Sequence, residues 1–330
     1  MAVSLKDIAK KAGVHVSTVS KALSDNAEIN IDTKRKIKKI ADELNYVPNY
    51  RAQALVNQKT KTIGVVVPYL NNFYYSELTQ AIKDGIQEDY RVSLYSKDNI
   101  EEEFKHIKAF KSGEVDGAVF VWAFLEHIEE FKELGKQIPL VFIGNHQVEL
   151  TKAGSIVRCD LQEGGYQLTK HIIELGHKKI GYIGNEFQRY QGFLQAMKEF
   201  KIPINNDFLF LGPYDLFEAG VNIGKEIIEL SEKPTGIVCI NDEVAIGAAS
   251  TLIKEGFKIP EDISIGGNDN TDFSKYYNPP LTSVRISKKK VGLKAAEIIK
   301  NKLNDDIPEN QLIIYPPQLI KRESTAVFEN

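Results

Sequence analysis

Cysteine is scarce in this 330-residue chain. Its two copies, Cys159 and Cys239, lie far apart in apolar surroundings with no Cys-x-x-Cys spacing, which argues against a disulfide framework or a zinc site and fits a reducing compartment. No stretch approaches the ~18 apolar residues of a spanning helix, and the polar, lysine-bearing N-terminus has no signal-peptide core, so a cytoplasmic, unanchored protein is expected. Catalytic signatures are missing as well: there is no glycine-rich phosphate loop after a strand, no His-Glu-x-x-His and no Gly-x-Ser-x-Gly elbow. His177 falls in a helix-to-strand turn, and the Asp242-Glu243 pair opens a helix where carboxylates favour the dipole, so each has a structural explanation. The expectation is therefore no catalytic residue, no cofactor, no metal and no enzyme.

What the chain does have is 42% apolar and 26% charged residues, the balance of a protein able to bury sizeable cores, at a length that exceeds one ordinary domain. Its charge is unevenly distributed. Residues 1–61 hold twelve Lys and Arg against six acids, a net of +6, so the remainder carries −9 of the total of −3. That asymmetry fits a polyanion-binding head on an acidic body, although a basic run can also be no more than a solvated helix face.

The head has the periodicity of three short helices. Leu5, Ile8, Ala9 and Ala12 fall on one helical face, and Gly13 supplies the left-handed turn that ends it. Residues 17–23 predict a second helix with Val19, Ala22 and Leu23 inward and Val16, Ser17 and Lys21 outward. Asn30 can cap a third, in which Ile37, Ile40, Ala41 and Leu44 form the buried stripe and Lys34, Arg35, Lys36, Lys38 and Lys39 stay wet. Helix, glycine turn and second helix make a helix-turn-helix unit. After Pro48, residues 49–58 are a weakly amphipathic stretch of a length that is helical only when packed on a partner. From Ile63 the pattern becomes apolar strands alternating with amphipathic helices, with strands expected at 63–67, 92–95, 117–122, 140–143, 156–157, 179–184, 236–240 and 262–266. This rhythm predicts an α/β fold of doubly wound parallel sheets, divided near residue 160 into two lobes with a cleft between them.

Leu5-Lys6-Asp7-Ile8-Ala9, Ser17-Thr18-Val19-Ser20-Lys21-Ala22-Leu23, Asn45-Tyr46-Val47-Pro48-Asn49, Glu174-Leu175-Gly176-His177, Asn241-Asp242-Glu243-Val244-Ala245 and Leu319-Ile320-Lys321-Arg322-Glu323-Ser324-Thr325 occur in this order and spacing. Together they resemble the lactose-repressor (LacI/GalR) family of bacterial transcriptional regulators over essentially the whole chain. The resemblance implies a helix-turn-helix DNA-binding domain at 1–48, a hinge helix and linker at 49–61, and an effector-binding and dimerisation core at 62–330 like periplasmic sugar-binding proteins. The N-lobe would be about 62–159 and 288–315, and the C-lobe about 160–287 and 316–327. It also implies a homodimer on pseudo-palindromic operator DNA, without the leucine-heptad tail of tetrameric members, and with no membrane partner.

The second helix of such a unit enters the major groove, which selects Val16, Ser17 and Lys21 for base edges. His15 would make a backbone or phosphate contact, and Thr18, Ser20, Asn26, Asn30 and Tyr46 would position phosphates. In the hinge, the resemblance makes Leu55 a minor-groove wedge flanked by Arg51 and Gln53, with Asn49 and Ala52 also among the DNA-binding residues. It further implies an effector set of Tyr74, Tyr75, Asn145, Arg189, Tyr214, Asn241 and Asp269, with Asp160, Tyr69 and Trp122 in second rank and Trp122 equally readable as core. The expected effector is a sugar or sugar phosphate, with a purine, another metabolite or a phosphocarrier protein as alternatives. Two departures bear on this: Gly144 stands where an acidic residue is common, and only four residues separate Gly184 from Arg189 where a longer, serine-bearing loop is usual. A transport-system sugar-binding protein would share the core but not the helical head.

Overall fold

The short apolar stripes of the first sixty residues can be buried only against one another, and the chain accordingly divides into two compact units, Met1–Thr60 and Lys61–Asn330. The computed structural model describes residues 3–24, 27–47, 59–87, 90–144, 147–185, 187–213, 216–304 and 309–328.

In the first unit α1 (Leu5–Ala12), α2 (Val16–Leu23) and α3 (Ile31–Glu43) enclose Ile8, Ala9, Ala12, Val19, Ala22, Ile37, Ile40 and Ala41. So small a core leaves helix ends as a large share of the energetics, and each end is tied. Asp7 accepts hydrogen bonds from the Ser4 backbone N–H at 2.8 Å and its hydroxyl at 2.7 Å, a reciprocal cap that holds the Asp7 carboxyl below the usual range. Gly13, at φ 71°, closes α1 in the left-handed region, and Lys36 Nζ donates to the Ala12 carbonyl at 3.0 Å. Lys36 is thus not merely a wet residue. The second helix begins at Val16, one residue earlier than its pattern indicates, because His15 caps it.

The second unit contains two six-stranded sheets of matching topology. The first is formed by β1 (Thr62–Val67), β2 (Arg91–Ser96), β3 (Gly117–Val121), β4 (Leu140–Ile143), β5 (Ser155–Cys159) and β11 (Leu312–Tyr315), in the order β11-β5-β4-β3-β1-β2. The second is formed by β6 (Ile180–Gly184), β7 (Leu209–Leu211), β8 (Gly236–Cys239), β9 (Ser264–Asn268), β10 (Thr282–Arg285) and β12 (Gln318–Ile320), in the order β12-β10-β9-β8-β6-β7. All pairings are parallel except β10 with β12. The chain passes between the sheets three times, after β5, after β10 and after β11. Helices cover both faces, notably α4 (Phe73–Ile86) against α12 (Lys288–Leu303), α7 (Leu161–Glu174) against α8 (Gln188–Glu199), and α9 (Phe217–Glu229) against α10 (Asp242–Lys254). Shorter or flanking helices are α5 (Ile100–Lys111), α6 (Ile128–Gly135) and α11 (Asp272–Tyr276). Strands β1, β3 and β4 are buried throughout, the signature of parallel strands covered on both sides. No helix among the described residues is long and apolar enough to cross a membrane.

The strand pattern misses β7, β10, β11 and β12. The first is three residues long, β10 has Val284 as its one apolar residue, and the last two flank Pro316-Pro317 at sheet edges, so none produces a long apolar run. The strand expected at 262–266 instead spans Ser264–Asn268, since the Asp262 carboxylate accepts the Lys258 backbone N–H in the preceding turn. Trp122 lies just beyond β3 at φ 55°, outside the strand expected to contain it.

Helices α7 and α8 touch through Gly165 and Gly192. A methyl at Gly165 would strike the Arg189 carbonyl, and one at Gly192 the Gln162 carbonyl. Gly165→Ala should therefore force the helices apart and cost about 1–3 kcal/mol, read as a lower midpoint in urea denaturation; unchanged stability would contradict this contact.

Candidate ligand cavity and DNA-reading face

In doubly wound sheets, backbone N–H groups and loop side chains converge at the carboxyl ends of the strands, where small molecules bind. Here the carboxyl ends of both sheets line one cavity of about 440 Å³. Pro68 and Tyr69 follow β1, Trp122 to Phe124 follow β3, Gly144 follows β4 and Cys159 ends β5. From the other sheet come Asn185 after β6, Ile240 and Asn241 after β8, Asp269 after β9 and Ile286 after β10, with Phe187, Gln188 and Arg189 at the start of α8.

Helix starts fix several of these groups. Asn72 caps α4 by accepting the Tyr74 N–H at 2.8 Å, which sets Tyr74 and Tyr75 in the first turn, facing the cavity. Their rings meet edge to face at 5.2 Å, and Tyr75 meets Tyr69 likewise at 5.3 Å. Both hydroxyls are pushed far above the usual tyrosine range, first by burial; for Tyr74 the next cause is the Asp269 charge, for Tyr75 the neighbouring Tyr74. Asn241 caps α10 in the same manner, its side-chain oxygen accepting the Val244 N–H at 2.9 Å.

The polar centre is Arg189 with Asp269. Arg189 Nη2 donates to the Asp269 carboxylate, and Nη1 donates to the Ile240 carbonyl at 2.6 Å. The side chains are only 12% and 10% exposed, so the pair is largely desolvated and removing either partner would strand a charge. The Arg189 Nε–H is buried and has no acceptor among the described residues. Asp269 stands at φ 95°, a costly conformation for a residue with a side chain, held by its N–H donating to the Val284 carbonyl at 2.8 Å.

The Trp122 wall rests on a buried charge network. Lys97, at the end of β2, donates to the carboxylate of Glu103 on α5 and to the Trp122 carbonyl at 2.8 Å. Glu103 also accepts the Phe124 N–H at 3.0 Å, and His127 Nδ1 lies 3.1 Å from the same oxygen. Burial lowers the Lys97 amine below its usual range, opposed by the Glu103 charge. Gly144 complements this wall, since a Cβ there would lie 2.7 Å from the Trp122 ring. The indole thus occupies the space a side chain at 144 would need, which accounts for glycine where an acid is common.

Tyr69, Tyr74, Tyr75, Trp122, Arg189, Asn241 and Asp269 are thus brought together around one cavity. Asp160 is not among its lining residues: its carboxylate caps α7 by accepting the Glu163 N–H at 3.1 Å. Asn145 and Tyr214 lie outside the described residues. Asn72, Phe124, Phe187 and Gln188 line the cavity without having been singled out from sequence, although all follow strand ends, the one signal that could have indicated them. Beneath Asp269, Asp242 is fully buried and accepts from the Thr271 N–H at 2.6 Å, the Thr271 hydroxyl at 3.0 Å and the Ser283 hydroxyl at 2.5 Å.

In the head, Ser17, Ser20 and Lys21 are exposed on one side of α2, opposite Val19 and Ala22, while Val16 and Thr18 are half-buried. His15 Nδ1 accepts the Ser17 N–H at 3.4 Å and lies 2.8 Å from the Ser17 hydroxyl. Lys21 pairs with exposed Glu28 at 2.5 Å. Asn30 caps α3 by accepting the Asp32 N–H at 2.8 Å, and Tyr46 packs half-buried on the head core. Asn26, Asn49, Arg51, Ala52, Gln53 and Leu55 lie outside the described residues.

Residues 4–49 match the family model for bacterial regulatory proteins, lacI family, and residues 169–325 match a periplasmic binding protein-like domain. The chain is 32% identical to the HTH-type transcriptional repressor PurR of Vibrio atlanticus (strain LGP32), over 98% of this chain and 99% of that protein. It is 31% identical to the PurR of Vibrio parahaemolyticus serotype O3:K6, over 97% and 98%. Among solved structures, the lac repressor dimer bound to operator and the anti-inducer ONPF superposes with a TM-score of 0.85 at 23% identity, covering 99% of this chain and 100% of that one. A LacI family transcriptional regulator from Enterococcus faecium with bound ribose gives a TM-score of 0.69 at 28% identity, over 81% and 100%.

Burial, then the Asp269 charge, raises the Asp242 carboxyl from 3.8 to about 7, against the hydrogen bonds that lower it. The folded state therefore favours protonated Asp242; the stability this residue contributes is full below its unfolded value and is lost as the pH rises through about 7. Burial lowers His171 from 6.5 to about 4, a slope of opposite sign over much of that window. Stability of the unaltered protein minus that of Asp242→Asn, from urea denaturation at successive pH values, isolates the first effect and should decline up to about neutrality. A flat difference would remove Asp242 as a titrating group.

Proposed function

This chain belongs to the lacI family of bacterial regulatory proteins, and we propose that it is a transcriptional repressor that binds a pseudo-palindromic operator as a homodimer and takes an uncharged sugar in its interlobe cavity. It is a DNA-binding regulator and not an enzyme, as its repressor relatives over nearly its whole length support. In this reading α2 enters the major groove, Ser17 and Lys21 meet base edges with Val16 beside them, and Lys21 exchanges Glu28 for DNA. Leu55 and the residues around it form the hinge that a change in lobe angle engages or withdraws.

The observation that carries the choice of ligand is the Arg189–Asp269 pair in an aromatic-walled cavity. A carboxylate beside a guanidinium offers acceptor and donor to adjacent hydroxyls, while Tyr74, Trp122 and Phe124 can cover the apolar face of a ring. Arg189 is the only Lys or Arg among the described lining residues, and Asp269 already neutralises it. A phosphate would enter without a counter-charge and beside a carboxylate, so a sugar phosphate is disfavoured. A purine base is the second reading, favoured by the relatives named PurR.

Thermal denaturation in the presence of ribose, cellobiose, their phosphates, hypoxanthine or guanine separates these readings. A free sugar at a hundred times its dissociation constant should add about 2.7 kcal/mol and raise the melting temperature. Stabilisation by a base alone would overturn the sugar reading, and stabilisation by a phosphate alone would overturn the charge argument. Arg189→Ala should abolish the response and leave ligand-free DNA binding intact.

Fragments of the parent genome retained by the protein provide the operator. On these, Lys21→Ala should weaken binding by about 1–3 kcal/mol, measured by fluorescence anisotropy. Equal weakening on unrelated duplex DNA would deny Lys21 a role in reading bases.

A further inference from the structure

Helix α12 opens with Lys288-Lys289-Lys290, with no acidic residue in its first turn and no side-chain cap from Ser287. Three cations at the positive end of a helix oppose its dipole, so this start is not explained by helix stability. Lys288 is also only 6% exposed, whereas Lys289 and Lys290 stand in solvent. A buried ammonium is costly unless its hydrogens are satisfied. Two partners meet it, and they come from opposite walls of the cavity: the carboxylate of Glu77 on α4 at 3.0 Å, and the main-chain carbonyl of Asp269, after β9, at 3.1 Å.

We propose that Lys288 is a positioning residue that fixes the two walls of the cavity relative to each other by joining Glu77 to the backbone of Asp269. On one side it secures the residue whose carboxylate holds Arg189, and whose left-handed φ of 95° is followed by a second left-handed residue, Asn270, at φ 46°. Two such residues in succession need several restraints; the Val284 carbonyl restrains the Asp269 N–H, and Lys288 restrains the Asp269 carbonyl. On the other side Glu77 lies on the helix whose first turn carries Tyr74 and Tyr75. The ammonium therefore sets the distance between the tyrosines and the Arg189–Asp269 pair, the dimension a ring ligand must fit. Lys288 does not line the cavity itself, so its effect on binding passes through Asp269 and α4. This role does not depend on which small molecule the cavity takes.

Hydrogen-exchange mass spectrometry on the full-length protein, without ligand, tests it. Lys288→Met should speed exchange about tenfold or more in two separate segments, residues 266–271 and the first two turns of α4, while the rest of both sheets exchanges as before. Glu77→Gln should give the same two-segment pattern more weakly, and Lys288→Arg should restore protection by retaining the cation. Glu77 is about half exposed, with a side chain 45% accessible, so its amide variant remains informative should Lys288→Met fail to fold. Acrylamide quenching of Trp122, the single tryptophan and part of the cavity wall, should rise severalfold in both variants. Uniformly faster exchange would reduce Lys288 to ordinary structural support, and loss of protection confined to the start of α12, with unchanged quenching, would overturn the link between the walls.

Discussion

Burying charge at the carboxyl ends of the strands is the constraint around which the core is arranged. These ends carry the polar loops, yet two lobes meeting over them exclude much of the water that would solvate charge. Each polar or ionisable group there must be given partners. Arg189 is met by Asp269 and the Ile240 carbonyl, Lys97 by Glu103 and the Trp122 carbonyl, and Asp242 by Thr271 and Ser283. Each solution ties together segments distant in the chain. The same contacts that satisfy desolvated charge therefore give the cavity its shape.

The DNA-reading head solves the opposite problem. Its core holds few residues, so its helices depend on caps and on contacts at their ends, from Ser4, His15 and Asn30 to Lys36 on the Ala12 carbonyl. Capping by His15 has a further effect, because it also engages the Ser17 hydroxyl and orients the first turn of the helix that presents Ser17 and Lys21. The turn that caps the helix is thus the turn that carries residues proposed to meet DNA. The net +6 lies in the head and the −9 in the core, so the charge that suits a polyanion is segregated from the acidic remainder.

Much of this architecture was legible in the amino-acid order. Helical stripes such as Ile37, Ile40 and Ala41 and strands such as 63–67 and 140–143 announced themselves because burial in those elements repeats with the geometry of the backbone. The edge strands β11 and β12 did not, since they are short, border Pro316-Pro317 and are exposed at alternate or terminal positions. The family resemblance points to Arg189, Asp269 and Asp160; the structure sets the first two at the cavity, whereas the Asp160 carboxylate caps a helix, a use that a carboxylate before a helix serves equally well. Trp122, readable from sequence as core or as site, packs half-buried against the core of its lobe and also lines the cavity, its ring set against Gly144.

Local pattern by itself determined the helix-turn-helix, the α/β alternation and the segregation of charge, because these depend on neighbours a few residues apart. Only the tertiary structure decided which polar groups are desolvated and by whom they are met. Lys97 with Glu103, Lys288 with Glu77 and Asp269, and Trp122 with Gly144 are pairings set by sheet order and helix packing, and no periodicity along the chain encodes them. Their energies depend on the absence of water, a property of the assembled lobes and of no single segment.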